Sequence, residues 1–288
     1  MSAPISTIST GPAAATAQGW IERTIPVTTD RLLVARIYGR RASGAGATPL
    51  ILHFHGGAFV GGNLESGSTV ARLLADAGGV VVSLDYPLAP SHPFPQPVEA
   101  GHAALSWIQR NRRRLGGEGA LLIVAGEEAG GNLAAAVALM ARDRQSPPLA
   151  GQILLSPMLD PCLGTASLRD ADLDSRDCPW VSGWTNYLPR PADAAHPYAA
   201  PSICMRLAQL PATLLITSDD DPLRDEALTY AARLREVGVP VEQAVIDAPT
   251  GWPQSFMQSA SYGAGWSAAV RACLRRFIAA LPKGGSPS

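Results

Sequence analysis

The sequence predicts an α/β fold, with a mostly parallel central sheet flanked by helices on both faces and a small insertion. Three observations carry that expectation. Short, continuous apolar runs alternate with segments of helical spacing, and unbroken apolar strands belong to sheets that are covered on both faces. Glycine-rich turns follow several of these runs, at the carboxyl ends of strands, where ligands of such sheets sit. One stretch, residues 160 to 200, breaks the alternation with Pro161, Pro179, Pro189, Pro191 and Pro197 together with Trp180 and Trp184. A long irregular insertion of this kind suits a lid or binding segment.

The elements follow in order. IERTIPV and LLVARIYG, separated by TTDR, read as an opening antiparallel hairpin. LILHFH is an apolar strand that runs into HGGAFVGGN, and helical spacing follows through Val70, Leu73, Leu74 and Ala77. GVVVSLDY is a buried strand. PVEAGHAALSWIQRNRRRL is a helix, with Ala104, Leu105, Ile108 and Leu115 on one face. Its closing arginines, Arg110, Arg112, Arg113 and Arg114, suit the dipole and solvent at a helix end. ALLIVAG is another buried strand, GEEAGG is a turn, and Asn132 to Arg142 is a helix. GQILLSP and ATLLITS are two more strands, and LRDEALTYAARLREVG is a helix ended by Gly238. VEQAVID is the last strand and WSAAVRACLRRFIAAL the closing helix.

The chain has 288 residues, of which 47% are hydrophobic, enough for one large domain with a sizeable core. Residues 1–20 read as a flexible tail and residues 21–288 as the domain, with 160–200 inserted as a cap. A net charge of −1, from 23 basic and 24 acidic residues, argues against nucleic acid or an anionic membrane as partner. Cys162, Cys178, Cys204 and Cys273 form no metal-binding spacing and read as free thiols of a reducing compartment. No run reaches the length of a membrane span. The expectation is a cytoplasmic protein with no metal and no cofactor.

The chemistry is concentrated in turns. GEEAGG at 126–131 lies between an apolar strand and a helix of small residues, the layout of the nucleophile elbow G-x-S-x-G. HGGAFVGG at 55–62, DYPLAPSHPFPQPVE at 85–99, GEEAGG, SPMLD at 156–160 and DDDPLRDEALTYAARL at 219–234 follow in that order. Together they resemble the hormone-sensitive-lipase-like esterases of the α/β-hydrolase fold, over roughly residues 45 to 280. The resemblance implies that Gly56, Gly57 and Ala129 supply the N–H groups of an oxyanion hole, each donor worth roughly 3 kcal/mol to a developing anion. It also makes Asp221 the triad acid and the 160–200 segment part of the cap.

The departures concern the catalytic residues. The family reads G-D-S-A-G-G at the elbow, so Glu128 stands where the serine belongs and Glu127 replaces its acidic neighbour. WPQSF stands where the family has H-G-F, which sets Gln254 at the position of the histidine. The histidines are His53, His55, His92, His102 and His196, and none follows Asp221, so the Ser…Asp…His order is incomplete. His55 is expected to brace the HGG loop, and His92 and His102 to be structural. His196, at the end of the cap, is within reach of the pocket. Asp221 is also suited to capping the helix that begins near Leu223. Trp180, Trp184 and Trp252, with Glu127, are the expected walls.

These residues predict a defective serine esterase with a small-molecule-binding or regulatory role. Gibberellin receptors resemble the same family, lack its histidine and bind their ligand in the old pocket. The ligand is expected to be apolar or ester-like. One alternative is a lyase, dehydratase or cyclase in which Glu128 is a general base, its pKa raised by burial and by Glu127 and Asp221. A second is residual carboxylic-ester hydrolysis. An elbow carboxylate acting as nucleophile, as in haloalkane dehalogenases, lacks the histidine that clears the covalent ester. A further expectation is that Glu128 turns into the oxyanion hole and plugs it.

Overall fold

The computed structural model describes residues 19–27, 31–44, 46–171 and 178–282. Eight strands form one sheet: β1 (Trp20–Pro26), β2 (Leu32–Tyr38), β3 (Leu50–Phe54), β4 (Val80–Leu84), β5 (Leu122–Glu127), β6 (Gly151–Leu155), β7 (Ala212–Ser218) and β8 (Val241–Ile246). Their order is β1-β2-β4-β3-β5-β6-β7-β8. β1 pairs antiparallel with β2, and β2 with β4. All later pairings are parallel. The expected tail meets the sheet at its last residue, since Trp20 opens β1 opposite Tyr38; residues 1–18 of that tail lie outside the described residues.

The apolar runs form central strands because both sheet faces are covered. Along β3, Leu50, Leu52 and Phe54 enter one core, with helices α2 (Gln96–Arg110) and α4 (Ala129–Asp143). Ile51, between them, enters the other core, with α1 (Ser68–Asp76) and α8 (Gly265–Ala280). This is the alternation of a pleated strand with apolar layers on both sides.

Two expected elements differ. The long helix through RNRRRL stops at Arg110, where Asn111 takes φ −100°, ψ 7° and donates its side-chain amide to Trp107 O. A single turn, α3 (Arg112–Leu115), follows. The insertion is more regular than its prolines suggest: α5 (Ala166–Asp170) and α6 (Pro179–Tyr187) lie within it. Pro179 occupies the first turn of α6, where a missing N–H costs nothing. Trp180 and Trp184, one turn apart, are both buried. Helix α7 (Arg224–Glu236) follows β7. Among the described residues no helix is long and apolar enough to cross a membrane.

Candidate functional site

The elbow forms between β5 and α4. Glu128 takes φ 52°, ψ −118° there, a conformation that side chains rarely adopt. Two glycines permit the turn. A Cβ on Gly126 would lie 2.1 Å from Gly130 O, and a Cβ on Gly130 would lie 2.1 Å from Phe54 O. Glu128 N–H donates to Leu155 O at 3.0 Å, and Met158 N–H donates to Glu128 O at 3.0 Å, which ties the turn to the end of β6.

The carboxylate of Glu128 turns inward. Its Oε2 accepts from Gly57 N at 2.5 Å, Ala58 N at 2.8 Å and Ala129 N at 3.0 Å. Its Oε1 accepts from Ala58 N at 3.1 Å and from Trp180 Nε1 at 2.8 Å. The residue keeps 4% exposure, and Trp180 keeps 1%. The HGG loop presents its N–H groups through further unusual backbone. Gly57 has φ 123°, where a Cβ would meet Gly61 O at 2.3 Å, and Ala58 and Phe59 have φ of 49° and 64°. Helix α6 packs directly on this loop: a Cβ on Gly183 would lie 2.4 Å from Ala58 O. Trp184 completes the cover, its ring 5.1 Å from that of Phe59.

Behind the elbow lies a second buried polar group. Glu127 Oε2 is 2.7 Å from His53 Nε2, and His53 Nδ1 is 2.9 Å from Ser83 Oγ. All three residues are fully buried. Gly56 differs from its expected role, because its N–H donates to Glu127 Oε1 at 3.3 Å rather than toward Glu128. The donor set is therefore Gly57, Ala58 and Ala129. His55 braces the loop as expected: Nδ1–H donates to Gly56 O at 2.7 Å, and the ring stacks on Tyr86 at 4.4 Å. Burial pushes its pKa down to about 4, so it is neutral at pH 7.

Asp221 is buried after β7 and bonds the backbone where α7 begins, the capping role expected of it, accepting from Leu223 N at 2.9 Å as well as from Ser156 Oγ at 2.8 Å and Thr217 Oγ1 at 2.6 Å. Those bonds make it a bracket at the start of α7. Burial raises its pKa. Gln254 is exposed on a 3-10 turn and makes no hydrogen bond to Glu128, Asp220 or Asp221. Trp252 is not a wall of the site: it packs 4.5 Å from Phe256 and 5.4 Å from Trp266 in the core on the α1/α8 side. His196 is exposed, with its ring 5.1 Å from Phe94 and from Tyr198, and makes no bond to Glu128.

The loop after β8 is held by Asp220 instead. Its carboxylate accepts from Thr250 N at 2.7 Å, Gly251 N at 3.0 Å, Thr250 Oγ1 at 2.7 Å and Ser218 Oγ at 2.8 Å. Partial burial would raise this group, but the four donors outweigh it and hold the pKa at about 2. The sequence reading gave no role to Ala58, His53, Ser83 and Thr250, and weighed Asp220 only as a member of a cation-binding cluster with Asp219, Asp221, Glu127 and Glu128. For two of these a signal was present. His53 and Ser83 are the polar intrusions in LILHFH and GVVVSLDY, and the register pairs them directly. Among the described residues no group of three or more His, Cys, Asp or Glu is placed to hold a metal ion.

Comparison with known proteins agrees with this fold. The alpha/beta hydrolase fold family matches residues 51–249. Esterase LipI of Mycobacterium tuberculosis is 37% identical over 199 residues, 67% of this chain and 62% of that protein. The gibberellin receptor GID1 of Oryza sativa subsp. japonica is 37% identical over 205 residues, 66% of this chain and 56% of the receptor. The chain thus spans less than two thirds of the length of these relatives. Among solved structures, a bacterial heroin esterase superposes with a TM-score of 0.77 at 34% identity, over 89% of this chain and 83% of its own.

Proposed function

Because this chain belongs to the hormone-sensitive-lipase-like family of the α/β-hydrolase fold, we propose that it is a non-hydrolytic member, which binds a small apolar or ester-like molecule in a regulatory role. The observation that carries this reading is the Glu128 carboxylate in the hole formed by the N–H groups of Gly57, Ala58 and Ala129. An oxyanion hole accelerates ester cleavage by receiving the charge that develops on the substrate oxygen. Here a side-chain oxygen occupies the same three donors, so a substrate carbonyl has no place to develop its charge. The hydroxyl nucleophile is missing from the elbow, and no histidine follows β7 or β8 to act as base.

The general-base reading is weaker. A base needs a free lone pair within reach of the substrate proton. Both oxygens of Glu128 already accept N–H bonds, and Trp180 covers one of them. A relative 37% identical to this chain is a gibberellin receptor, which supports a binding role on this scaffold. Four free thiols fit a reducing cytoplasm. The test is steady-state hydrolysis of p-nitrophenyl butyrate by the unmodified protein. No turnover beyond the residual of roughly 10³ over water is expected, the level left to proteases stripped of their triad. Turnover near the enzyme median of about 10 s⁻¹ rejects the reading.

A further inference from the structure

We propose that a cavity at the opposite end of the sheet from Glu128 is a binding site for a neutral, mostly apolar small molecule that carries one hydrogen-bonding carbonyl. This goes beyond the reading above, which is argued at Glu128, and names a separate site. Its place follows from the topology. Glu128 follows the carboxyl end of β5, whereas the cavity opens beside the starts of the parallel strands β6, β7 and β8. It has a volume of ≈ 830 Å³, within the range of about 300–1,000 Å³ typical of ligand pockets. Ala138 and Ala141 of α4 line one side, and Phe277 and Leu281 the other, with Leu210 and Val241 between them.

The chemistry of the lining selects a neutral ligand. Its two charged residues are Arg142 and Glu242. Arg142 donates to Arg206 O at 2.5 Å and Ala208 O at 3.1 Å and pairs with Asp143 at 2.8 Å. Glu242 is held by Arg276. A charged ligand would enter an apolar recess without a free counter-ion, which is costly. The side-chain amides of Gln145 and Gln209 make no hydrogen bond among the described residues and stand in the lining, free to donate to a carbonyl oxygen.

Two lining residues have positive φ, Gln145 (54°) and Gln209 (63°). Gln145 takes it as the left-handed residue that ends helix α4, where Ser146 N–H donates to Ala141 O at 3.0 Å. Helix α4 serves both places: Ala129 at its start donates to Glu128, and Ala138 and Ala141, near its end, line the cavity.

The test uses the full chain and Nile red, a neutral apolar dye. Saturable binding is expected, weakened by roughly tenfold or more when Ala280→Trp fills the recess. With alanine methyl groups labelled, the dye should shift the resonances of Ala138, Ala141 and Ala280 and leave those of Ala58 and Ala129 in place. The methyl map needs no substitution, so it decides the matter even where the tryptophan variant fails to fold. No saturable binding, or shifts confined to Ala58 and Ala129 with binding lost in Trp180→Phe, overturns the proposal. Hydrolysis of p-nitrophenyl butyrate by the unmodified protein would reject the non-hydrolytic reading instead, whatever the dye does.

Discussion

At the scale of residues, Glu128 satisfies the hole that it fills. Three backbone N–H groups would be left buried without partners if it were removed, and leaving such donors unmade is costlier than the bond is worth. The contact with Trp180 makes this testable. In Glu128→Gln the amide oxygen can keep the three donors on the Oε2 side, but the NH₂ then faces Trp180 Nε1–H, donor against donor. Trp180→Phe removes one bond to a carboxylate and is expected to cost about 1.5–3 kcal/mol. The double variant should cost less than the sum of the singles, with a coupling of roughly 1 kcal/mol or more. Urea unfolding of the four proteins measures this. Strict additivity would show that the indole and the carboxylate are not energetically linked. That Glu128 turns into the hole was legible in the sequence, because an anion between a strand and a helix N-terminus meets N–H groups. Two of the N–H groups that it meets, Gly57 and Ala129, were legible too, and the third, Ala58, was not. The count along HGGA slips by one residue, because Glu127 claims Gly56.

At the scale of elements, the strand–elbow–helix unit depends on glycines that no side chain can replace. Gly130→Ala would set a methyl 2.1 Å from Phe54 O, a backbone atom of β3. Loss of folding, or a destabilisation beyond about 4 kcal/mol, is expected. A soluble variant with an unchanged melting temperature contradicts the elbow as described. Helix α7 holds a different tension. Glu226, in its first turn, accepts from Asp160 N at 2.8 Å through Oε2, while its buried Oε1 makes no well-formed hydrogen bond among the described residues. Burial drives its pKa well above the ordinary carboxylate value and raises Asp221 too. A raised acid contributes stability below its unfolded pKa, about 4.3 for Glu, and loses it as pH climbs through the folded value. Asp220 acts in the opposite sense: held at about 2, it stabilises above the unfolded value of about 3.9 and loses that as pH falls through about 2. Glu226→Gln removes the first effect only. Its melting temperature should exceed that of the parent protein by a few degrees at pH 8 and match it at pH 4. Equal curves at both pH values would mean that Glu226 carries no charge penalty. The helices themselves were mostly legible from their spacing, but α6 was not. Its prolines read as breakers, although one of them stands where a helix tolerates it.

At the scale of the whole molecule, the sheet could be read from alternating apolar runs, since period and burial are local properties. The site could be read only in part, because it is assembled from loops far apart in the chain. Gln254 illustrates the limit. Counting along a short motif placed it at the position of the base, yet the loop after β8 is anchored by Asp220 to Thr250, and Gln254 lies exposed beyond it. In this fold an acid after β7 orients a base after β8. Among the described residues, the acids after β7 meet the loop after β8 through Asp220 and Thr250, which makes Thr250 the position where a restored base is expected to act. Glu128→Ser together with Thr250→His is expected to hydrolyse p-nitrophenyl butyrate measurably faster than Glu128→Ser alone, because nucleophile and base act as a unit. The serine also empties the hole, returning Gly57, Ala58 and Ala129 to the substrate oxygen. The rate should fall as pH drops through about 6.5, where a free histidine gains its proton and ceases to be a base. Glu128→Ser with Gln254→His should add nothing, since that side chain starts from the solvent-exposed turn. Activity in the Gln254 pair and none in the Thr250 pair would reverse the assignment and return the base to the position that motif counting gave.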